Sequence, residues 1–355
     1  MQILVINSGS TSLKYKLYQT KSLQILKEGE VRNIGPGKVK NHEKALKLVL
    51  SSLKIPNIKA VGHRIVHGGS EFVEPTLVNQ KILERLKKYN QLAPLHNPAN
   101  LLGIKASNKL IPNIPDIAVF DTAFFKNLPF EAATYALPAN LCQKYHLQRY
   151  GFHGLSHQYV AEEAAKKLKK PLGKLKIITC HLGGGSSLTA IKNGQPIETS
   201  MGFTPVEGVV MMTRSGNIDP AILPYLMRKE KLSPAEIEEM LNKRSGLKAI
   251  SGIPSSSMLA ILEAAKKGRP KAKLALKLYT YQIKKYIGAY QVILNGLDAL
   301  VFTGAIGFGS QKIRGMITQD MNILKGVKVL AIETDEELMI AREVLRCYNE
   351  RYLLK

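Results

Sequence analysis

The stretch ILVINSGSTSLKYKLY, residues 3–18, shows the pattern on which the rest of the chain is built. It opens with an apolar run at residues 3–6 that is typical of a buried strand. Small hydroxyl residues around Gly9 follow, a composition that favours a tight turn whose N–H and hydroxyl groups face an anion. Apolar and polar residues then alternate over residues 13–17, which predicts a returning strand. The stretch therefore predicts a phosphate-binding hairpin, with an ordinary serine-rich hairpin as the alternative.

The second half of the chain repeats this pattern. Residues 176–180 predict a strand, HLGGGSS follows at residues 181–187, and residues 188–191 predict the return strand. A further strand at residues 299–303 ends in GAIGFGS, residues 304–310. The opening turn is not a Walker loop, because the GxxxxGK[ST] pattern is absent. Two copies of strand, Gly/Ser turn and strand predict a duplicated α/β fold, with ligands at the strand ends in a cleft between the halves.

Length and composition bound the class of protein. The 355 residues suggest two domains, and the 45% hydrophobic content is enough for a sizeable core. Helical spacing predicts helices that include residues 41–53, 76–89 and 336–348, between the predicted strands. No run is long enough to span a membrane, and the N-terminus has no secretion signal. The three cysteines are widely spaced, so a reduced, cytoplasmic protein is expected.

The net charge of +24 raises the question of nucleic-acid binding. Tryptophan is absent, the lysines are spread along helical stretches, and no RNA- or DNA-binding motif is present. Nucleic-acid binding is therefore not expected as the main role. The charge instead suits the attraction of small anionic substrates.

Eight motifs occur in order along nearly the whole chain. They are NSGSTSLK (residues 7–14), GHRIVHGG (62–69), APLHNP (93–98), FDTAFF (120–125), YGFHGLSH (150–157), HLGGGSS (181–187), SMGFTPVEGVVMMTRSGNIDP (200–220) and TDEELMIARE (334–343). This ordered set strongly resembles acetate kinases, within the acetokinase group of the actin-like ATPase superfamily. The resemblance implies a duplicated actin-like (ribonuclease H-like) α/β fold of two domains with an interdomain cleft, and a homodimer. The implied reaction is reversible transfer of a phosphoryl group from ATP to acetate with Mg²⁺, for which Mn²⁺ is the alternative.

The resemblance also implies a division of the chain. An N-terminal actin-like domain is expected at residues 1–124, with a C-terminal helix at residues 336–355 packed back on it. A nucleotide-binding domain is expected at residues 125–335.

Four residues are candidates for the phosphoryl-transfer chemistry. A guanidinium such as that of Arg64 can bind a carboxylate or phosphate through two parallel hydrogen bonds. Asp121 follows a predicted strand, and its match to the family implies the catalytic aspartate, although a helix N-cap is the alternative role. His153 and Arg214 match the family's transition-state stabilisers, which donate hydrogen bonds to the developing charge. A structural histidine and a loop salt bridge are the respective alternatives.

The metal and the phosphate chain have their own candidates. Asn7 and Glu336 match the family's magnesium-linked positions, and Mg²⁺ binds few protein oxygens while keeping several waters. Glu336 is otherwise explained as a first-turn helix carboxylate. Lys14 is expected to meet a nucleotide phosphate, with weaker candidate donors at Ser10 and Ser12. The three glycines of HLGGGSS permit positive φ angles and close approach of the backbone to the phosphates.

Two further sets of residues complete the predicted site. By resemblance, a small apolar pocket for the acyl group is lined by Val66, Leu95, Phe152 and Pro205, and any of them is otherwise plain core. The nucleotide-binding set comprises Lys14, His181, Leu182, Gly183, Gly184, Gly185, Ser257, Met258, Leu259, Ala305, Ile306, Gly307, Phe308 and Gly309.

The adenosine side departs from the pattern of the family. Ser257 and Leu259 stand where an Asp and an Arg are usual, Phe308 and Gly309 replace the acid and amide of GIGEN, and Gly184 replaces an Asn. We therefore expect fewer polar contacts to ribose or base, and Phe308 to stack on the base or block it. Relaxed purine selectivity, or a donor such as GTP or pyrophosphate, follows as a hypothesis. The chain is also shorter than is usual, with the missing segments expected in surface loops.

Alternative functions differ in what they require. A propionate or butyrate kinase is the nearest alternative, because one methylene changes the preference of an apolar pocket by only about 1–3 kcal/mol. Ser8 favours acetate over butyrate, since butyrate kinases tend to open with NPGS. An actin-like ATPase switch and a polyanion-binding protein are alternatives of other classes. Neither needs the arginines at positions 64 and 214 together with Asp121 and His153.

Overall fold

The structure is a computed structural model that describes residues 1–9, 11–53 and 57–352. Ser10, a candidate phosphate donor, lies outside the described residues. Contacts divide the chain into two compact units. Unit 1 comprises Met1–Lys126, Phe152–Leu155 and Asp335–Lys355, and unit 2 comprises Asn127–Gly151 and Ser156–Thr334. The expected division into folding domains near residue 124 stays a prediction.

The secondary structure alternates between strands and helices. The strands in the described ranges are β1 Gln2–Ser8, β2 Ser12–Gln19, β3 Ile25–Arg32, β4 Ile58–Ile65, β5 Thr76–Leu77, β6 Asp116–Phe120, β7 Lys176–Leu182, β8 Ser186–Lys192, β9 Gln195–Thr199, β10 Ala299–Thr303 and β11 Lys328–Ala331. The α-helices there are α1 His42–Ser51, α2 Gln80–Lys87, α3 Asn97–Leu110, α4 Phe130–Ala133, α5 Ala139–Tyr145, α6 Gly154–Leu168, α7 Ile222–Glu230, α8 Pro234–Lys243, α9 Gly246–Ser251, α10 Met258–Lys266, α11 Pro270–Leu294, α12 Gly304–Gly307, α13 Gln311–Thr318 and α14 Glu336–Tyr352.

The sheet of unit 1 contains the opening hairpin. Its strand order is β3-β2-β1-β4-β6-β5. The predicted hairpin is confirmed, because β1 pairs antiparallel with β2 and Ser8 lies opposite Leu13. On its other edge β1 pairs parallel with β4, which in turn pairs parallel with β6. The carboxyl ends of β1, β4 and β6 therefore lie side by side, and the loops that follow them carry the candidate residues.

The sheet of unit 2 has the same topology. Its order is β11-β10-β7-β8-β9. The strand β7 pairs antiparallel with β8 and parallel with β10, as β1 pairs with β2 and β4. The helix α11 packs on β7 and β8, and its apolar side joins the largest core cluster of the unit. This repetition confirms the duplicated α/β fold that the two sequence patterns predicted.

Helices of unit 1 follow the sequence signals with one exception. Asn41 caps α1, because its side chain accepts a hydrogen bond from the N–H of Lys44 at 2.9 Å. The helix predicted over residues 76–89 is wrong at its start. Thr76–Leu77 instead pair antiparallel with β6, and the helix begins at Gln80 after the cap Asn79. Helical spacing over a short segment cannot show that the first residues of the segment pair with a sheet as an edge strand.

The C-terminal helix α14 packs against β1 and β4 of unit 1. Its closest approach is at Gly62 of β4. A Cβ atom at this position would lie 2.6 Å from Cγ2 of Val344 and 2.9 Å from Cγ2 of Ile340. Only glycine fits here, since real Cβ atoms do not approach other heavy atoms this closely. The last described helix is thus an integral layer of the unit that contains the N-terminus.

Candidate active site

Arg64 and Asp121 form an ion pair at the ends of β4 and β6, in which the carboxylate is buried and the guanidinium is half-buried. Arg64 donates from Nε to Asp121 Oδ1 at 3.0 Å and from Nη2 to Oδ2 at 2.6 Å. The backbone N–H of Asp121 donates to the carbonyl of Ile65, so the two strand ends are also joined through the main chain. This side-on bidentate pairing uses one edge of the guanidinium. The distal edge of Arg64 includes Nη1, which faces the carboxylate of Glu336.

Burial controls the charges of this pair. Asp121 is 1% exposed, and burial raises the pKa of its carboxyl to about 6, with Glu336 adding to the rise and Arg64 opposing it. Burial acts to lower the pKa of Arg64, but the Asp121 and Glu336 carboxylates outweigh it and raise that pKa above its ordinary value. Arg64 therefore stays cationic, whereas Asp121 changes charge just below neutral pH.

The N-terminus of α14 brings more carboxylates to the same strand ends. Glu336 Oε2 lies 3.1 Å from Arg64 Nη1. The side-chain amide of Asn7, at the end of β1, donates to Glu337 Oε1 at 3.2 Å. Asp335 caps the helix by accepting from the N–H of Leu338. Sequence reasoning selected Glu336 but missed Glu337. Both lie in the first turn of α14, but Glu336 pairs with Arg64 and Glu337 accepts from Asn7.

These side chains suit a hard cation. The donors near the strand ends are the amide of Asn7 and the carboxylate of Glu336, and oxygen is the ligand that Mg²⁺ prefers. In the part of the chain that the structure describes, no three or more His, Cys, Asp or Glu residues group into a metal site. A metal that takes few protein ligands and completes its shell with phosphate and water oxygens fits this donor set. Lys14 is exposed and lies opposite Asn7 in the hairpin.

His153 has an unusual backbone conformation. Its φ angle is +58°, in the left-handed region that non-glycine residues seldom adopt. The next residue, Gly154, donates its N–H to the carbonyl of Asp121 at 3.1 Å. A Cβ atom at Gly154 would lie 2.1 Å from that carbonyl oxygen. The left-handed turn thus places His153 beside the residue that pairs with Arg64, and such local strain is often found at functional sites.

Three of the four residues predicted for the acyl pocket lie in unit 1. Val66 and Phe152 are buried and Leu95 is half-buried. His67 follows Val66 in the chain. Its ring packs edge-on against the ring of Phe152, with 5.3 Å between the centroids. Pro205 is buried in unit 2.

Two asparagines that sequence reasoning missed hold this region together. Asn100 accepts from the N–H of Val66 at 3.2 Å and donates to the carbonyl of Ser8 at 2.6 Å. Asn97 accepts from the N–H of His67 at 3.0 Å and donates back to its carbonyl at 2.9 Å. Both asparagines are buried, on α3. The available signal was that polar residues occupy the buried side of α3 among apolar ones.

The glycine loop of unit 2 joins β7 to β8. His181 lies opposite Ser187 and Leu182 opposite Ser186, so residues 183–185 form the tip. None of these glycines has a positive φ angle, so that part of the sequence argument is wrong. A Cβ atom at Gly184 would meet nothing within 4 Å, so the fold itself does not require glycine at this position. Close approach of a ligand to the backbone would explain why glycine is present.

Arg214 lies in a turn that is bonded to this loop. The N–H of Met212 donates to the carbonyl of Gly184 at 3.2 Å, and the N–H of Met211 donates to the carbonyl of Arg214 at 3.1 Å. Burial lowers the pKa of Arg214. Unit 2 thus brings together the predicted transition-state arginine and the predicted phosphate loop.

The adenosine-side residues separate into core and surface. The side chains of Met258 and Ile306 belong to the main core of unit 2, so they can offer only backbone groups to a nucleotide. Leu259 is 69% exposed and Phe308 is 41% exposed. The α12 turn that precedes Phe308 is held by Arg314, which donates from Nη1 to the carbonyl of Gly307 at 2.9 Å. The segments at Ser257 and at residues 304–309 are therefore ordered and carry no acidic side chain.

The model of the acetokinase family matches residues 2–344. The chain belongs to the acetokinase family. An acetate kinase from Halothermothrix orenii is 42% identical over 98% of this chain and 99% of the relative. That alignment extends over 395 positions, so this acetokinase of 355 residues lacks segments that the relative contains.

Solved structures of the family superpose closely on this acetokinase. The crystal structure of Porphyromonas gingivalis acetate kinase has a TM-score of 0.89 and 38% identity, and covers 97% of this chain and 99% of that chain. A propionate kinase from Francisella tularensis subsp. tularensis has a TM-score of 0.90 at 38% identity, with 97% and 99% covered. This acetokinase is accordingly a phosphotransferase with a carboxyl acceptor, and it has the duplicated actin-like fold of its family.

Proposed function

We propose that the protein is an acetate kinase, which transfers a phosphoryl group reversibly from ATP to acetate in the presence of Mg²⁺. The observation that carries the proposal is the pairing of half-buried Arg64 with buried Asp121 at two adjacent strand ends. An ion pair with a buried carboxylate gives little net stability compared with apolar residues, because the charges lose hydration. Its presence is better explained by a guanidinium that must be held at one orientation for an anionic substrate.

Arg64 would bind the acetate carboxylate or the moving phosphoryl group with its distal edge. Asp121 orients that edge by accepting from Nε and Nη2. Asp121 is also the candidate to orient the nucleophilic oxygen of acetate, and it is mostly ionised at pH 7 because its pKa is about 6. Phosphoryl transfer needs positioning and positive charge rather than covalent help from the protein.

His153 and Arg214 would donate hydrogen bonds to the equatorial oxygens of the phosphoryl group in the transition state. His153 is held by the left-handed turn beside Asp121, and Arg214 by the turn bonded to the glycine loop. Backbone turns that hold both residues in place would reduce the cost of reorganisation during the reaction. Val66, Leu95, Phe152 and Pro205 would exclude water from the acyl group.

Asn7 and Glu336 would hold the magnesium ion through oxygen. When bound, such an ion would neutralise part of the charge of the phosphate oxygens. A hydrogen bond links Asn7, on β1, to Glu337 in the first turn of α14, and Glu336 in that turn pairs with Arg64. Lys14 and the 183–185 loop would bind the phosphates of the nucleotide.

Acetyl-hydroxamate formation from acetate and ATP tests the proposal. We expect turnover by the wild type, and a loss of more than about a hundredfold in kcat/KM for Arg64→Ala and for Asp121→Asn. Asp320→Asn is the matched control, because Asp320 is exposed and its φ angle of +60° suits asparagine. Near-normal rates in the Arg64 and Asp121 variants would overturn the site assignment.

Propionate is the second candidate acceptor, favoured by the similarity to the Francisella propionate kinase. Apolar pockets discriminate weakly between acids that differ by one methylene. The ratio of kcat/KM for acetate to that for propionate decides between the two. A ratio above one supports acetate kinase, and a ratio below one assigns propionate kinase instead.

The phosphoryl donor is a separate part of the proposal. Exposed Leu259 and Phe308 offer apolar contact to a base, and the segments that carry them have no carboxylate for a ribose hydroxyl. We infer relaxed donor selectivity. Turnover with ATP, GTP, CTP and pyrophosphate tests it, and a strong, exclusive preference for ATP would contradict it.

We also propose that the protein is a cytoplasmic homodimer. Its three cysteines are free, and nucleotide substrates are cytoplasmic. No helix within the described ranges has the length and apolarity needed to cross a bilayer. In unit 2, the helix α7 has the apolar sequence ILPYLM at its start, and yet none of its residues is buried. Ile222 and Tyr225 of α7 are exposed, which is the pattern of a surface that a second copy covers.

A further inference from the structure

The first turn of α6 is hydrogen-bonded to both ends of the glycine loop. This turn carries the GLSH part of the YGFHGLSH motif, in which Ser156 and His157 have no role in the proposed reaction. Ser156 contacts His181, the residue that enters the loop, and His157 contacts Ser187, the residue that leaves it. All four residues belong to unit 2. Two consecutive side chains thus hold the two sides of one hairpin stem.

Ser156 fixes the ring of His181. Its Oγ lies 2.8 Å from Nδ1 of His181. Ser156 is buried, whereas His181 is half-buried at the mouth of the loop. A hydrogen bond at Nδ1 restricts the rotation of an imidazole. Nε2 of His181 therefore has a defined direction.

His157 is bonded at both ring nitrogens. Nδ1 lies 2.7 Å from Oγ1 of Thr179, and Nε2 lies 2.7 Å from Oγ of Ser187. The Thr179 hydroxyl also lies within donor distance of the carbonyl of Thr189, at 3.4 Å. If it donates there, it accepts from His157, so Nδ1 carries the proton and Nε2 accepts from Ser187. Thr179 lies on β7 and Ser187 on β8, so one fully buried ring joins the two strands below the loop.

We propose that Ser156 and His157 are positioning residues that set the glycine loop for binding nucleotide phosphate. The proposal rests on the proposed function only in assigning the loop to the nucleotide. The tip has no side chains of its own to define its place, and Gly184 is exposed with open space beside it. Its position therefore depends on the stem and on the backbone hydrogen bond from Met212 to Gly184. Correct placement of backbone N–H groups matters, because a displacement of about 1 Å in a site can cost about a hundredfold in rate.

The experiment measures Mg-ADP binding by titration calorimetry, alongside kinetics with acetate. Ser156→Ala and His157→Leu remove the two contacts, and Ser156→Thr and His157→Gln retain hydrogen-bonding groups. We expect Kd for ADP to rise about tenfold in each removal variant, as the loss of one hydrogen bond predicts. In Ser156→Thr and His157→Gln, the rise in log Kd for ADP should be at most half of the rise in the corresponding removal variant. KM for acetate should stay within about twofold, because the acetate residues do not depend on this stem.

Matched controls are Ser22→Ala and His146→Asn, both at exposed positions. Circular dichroism establishes which variants are folded. If His157→Leu fails to fold, Ser156→Ala and His157→Gln still decide the question. An unchanged Kd for ADP in folded Ser156→Ala, or a KM for acetate that rises as much as Kd for ADP, would overturn the proposal.

The same measurements separate this inference from the proposed function. A wild type that binds Mg-ADP but forms no hydroxamate or propionyl product refutes the kinase assignment and leaves the stem effect measurable. A wild type that does not bind Mg-ADP refutes the assignment of the loop, and the inference fails with it.

Discussion

Arg64 donates two hydrogen bonds to the carboxylate of Asp121, from Nε to Oδ1 and from Nη2 to Oδ2. The pair is arranged side-on, and the remaining nitrogen, Nη1, lies 3.1 Å from Glu336 Oε2. Burial still raises the pKa of Asp121 to about 6 despite this cationic partner. The charge of the pair is therefore set by pH within an ordinary experimental range.

This relationship predicts an acid limb in the pH–rate profile. Asp121 accepts a proton as pH falls through about 6, and the neutral acid no longer orients Arg64 as a carboxylate does. We expect kcat/KM for acetate to fall about tenfold per pH unit below that value. Initial rates between pH 5 and pH 8 check it, with circular dichroism at each pH. A flat profile down to pH 5 would show that ionised Asp121 is not required.

Glu336→Gln should weaken the response to magnesium. The substitution keeps the size of the side chain but removes the negative charge beside Arg64 and the candidate metal ligand. We expect the Mg²⁺ concentration for half-maximal rate to rise at least about tenfold. Glu343→Gln on the same helix is the control, since Glu343 pairs with Arg346 instead. Equal magnesium responses in the two variants would remove Glu336 from the metal site.

Gly62→Ala should destabilise unit 1. The added methyl group would meet Val344 and Ile340 of α14 at distances shorter than van der Waals contact. Overpacking of this kind costs about 1–3 kcal/mol. Urea denaturation measures the change. Gly288→Ala within α11 is the control, because a Cβ there meets nothing within 4 Å and alanine favours the helix; it should be neutral or stabilising. Similar stability changes in both variants would contradict the packing argument.

His157 predicts that stability falls in acid. Burial holds the pKa of His157 well below its ordinary value, and the neighbouring His181 adds to this effect. The unfolded chain takes up a proton below about pH 6.5 and the folded chain does not, so stability is lost as pH falls through that region. The loss approaches about 1.4 kcal/mol per pH unit. Urea denaturation at pH 7 and pH 5.5 measures it.

The variant His157→Gln isolates this contribution. Asp121 acts with the opposite sign, because its raised pKa means that the folded chain takes up a proton more readily than the unfolded chain. Both proteins contain Asp121. Its contribution therefore cancels when the pH dependence of stability in the variant is subtracted from that of the wild type. No difference between the two would mean that His157 titrates normally in the folded protein.

Tyr225→Glu should separate the proposed dimer. Tyr225 lies on α7, an apolar helix without a buried residue. A buried unpaired carboxylate at an interface costs several kcal/mol, enough to dissociate a dimer at micromolar concentration. Light scattering after size-exclusion chromatography measures the mass. Leu48→Glu, at an exposed position of α1, is the control and should leave the mass unchanged. A dimeric Tyr225→Glu protein would place the interface elsewhere.

The sequence predicted those parts of the fold that depend on local patterns. An apolar run before the Ser/Gly turn and alternation after it were enough for the β1–β2 hairpin, and the repeat of that pattern was enough for the second sheet. The start of the helix predicted at residue 76 was wrong, because pairing with β6 decides it. Such pairing joins residues about forty positions apart, which no local window contains.

The candidate site shows the same division. Arg64 and Asp121 were found because short motifs mark strand ends, and the structure places them in contact. The buried links through Asn97 and Asn100 were missed, since a polar residue on a helix gives no sign of what it bonds across the sheet. The roles of both sets in the reaction stay predictions.

The position of α14 has a consequence for synthesis. The segment that completes unit 1 against Gly62 leaves the ribosome only after all of unit 2. The nascent N-terminal sheet therefore keeps its β1 and β4 face uncovered until α14 has been synthesised. Premature termination before residue 336 would release a chain in which that apolar face stays open to aggregation or to chaperones.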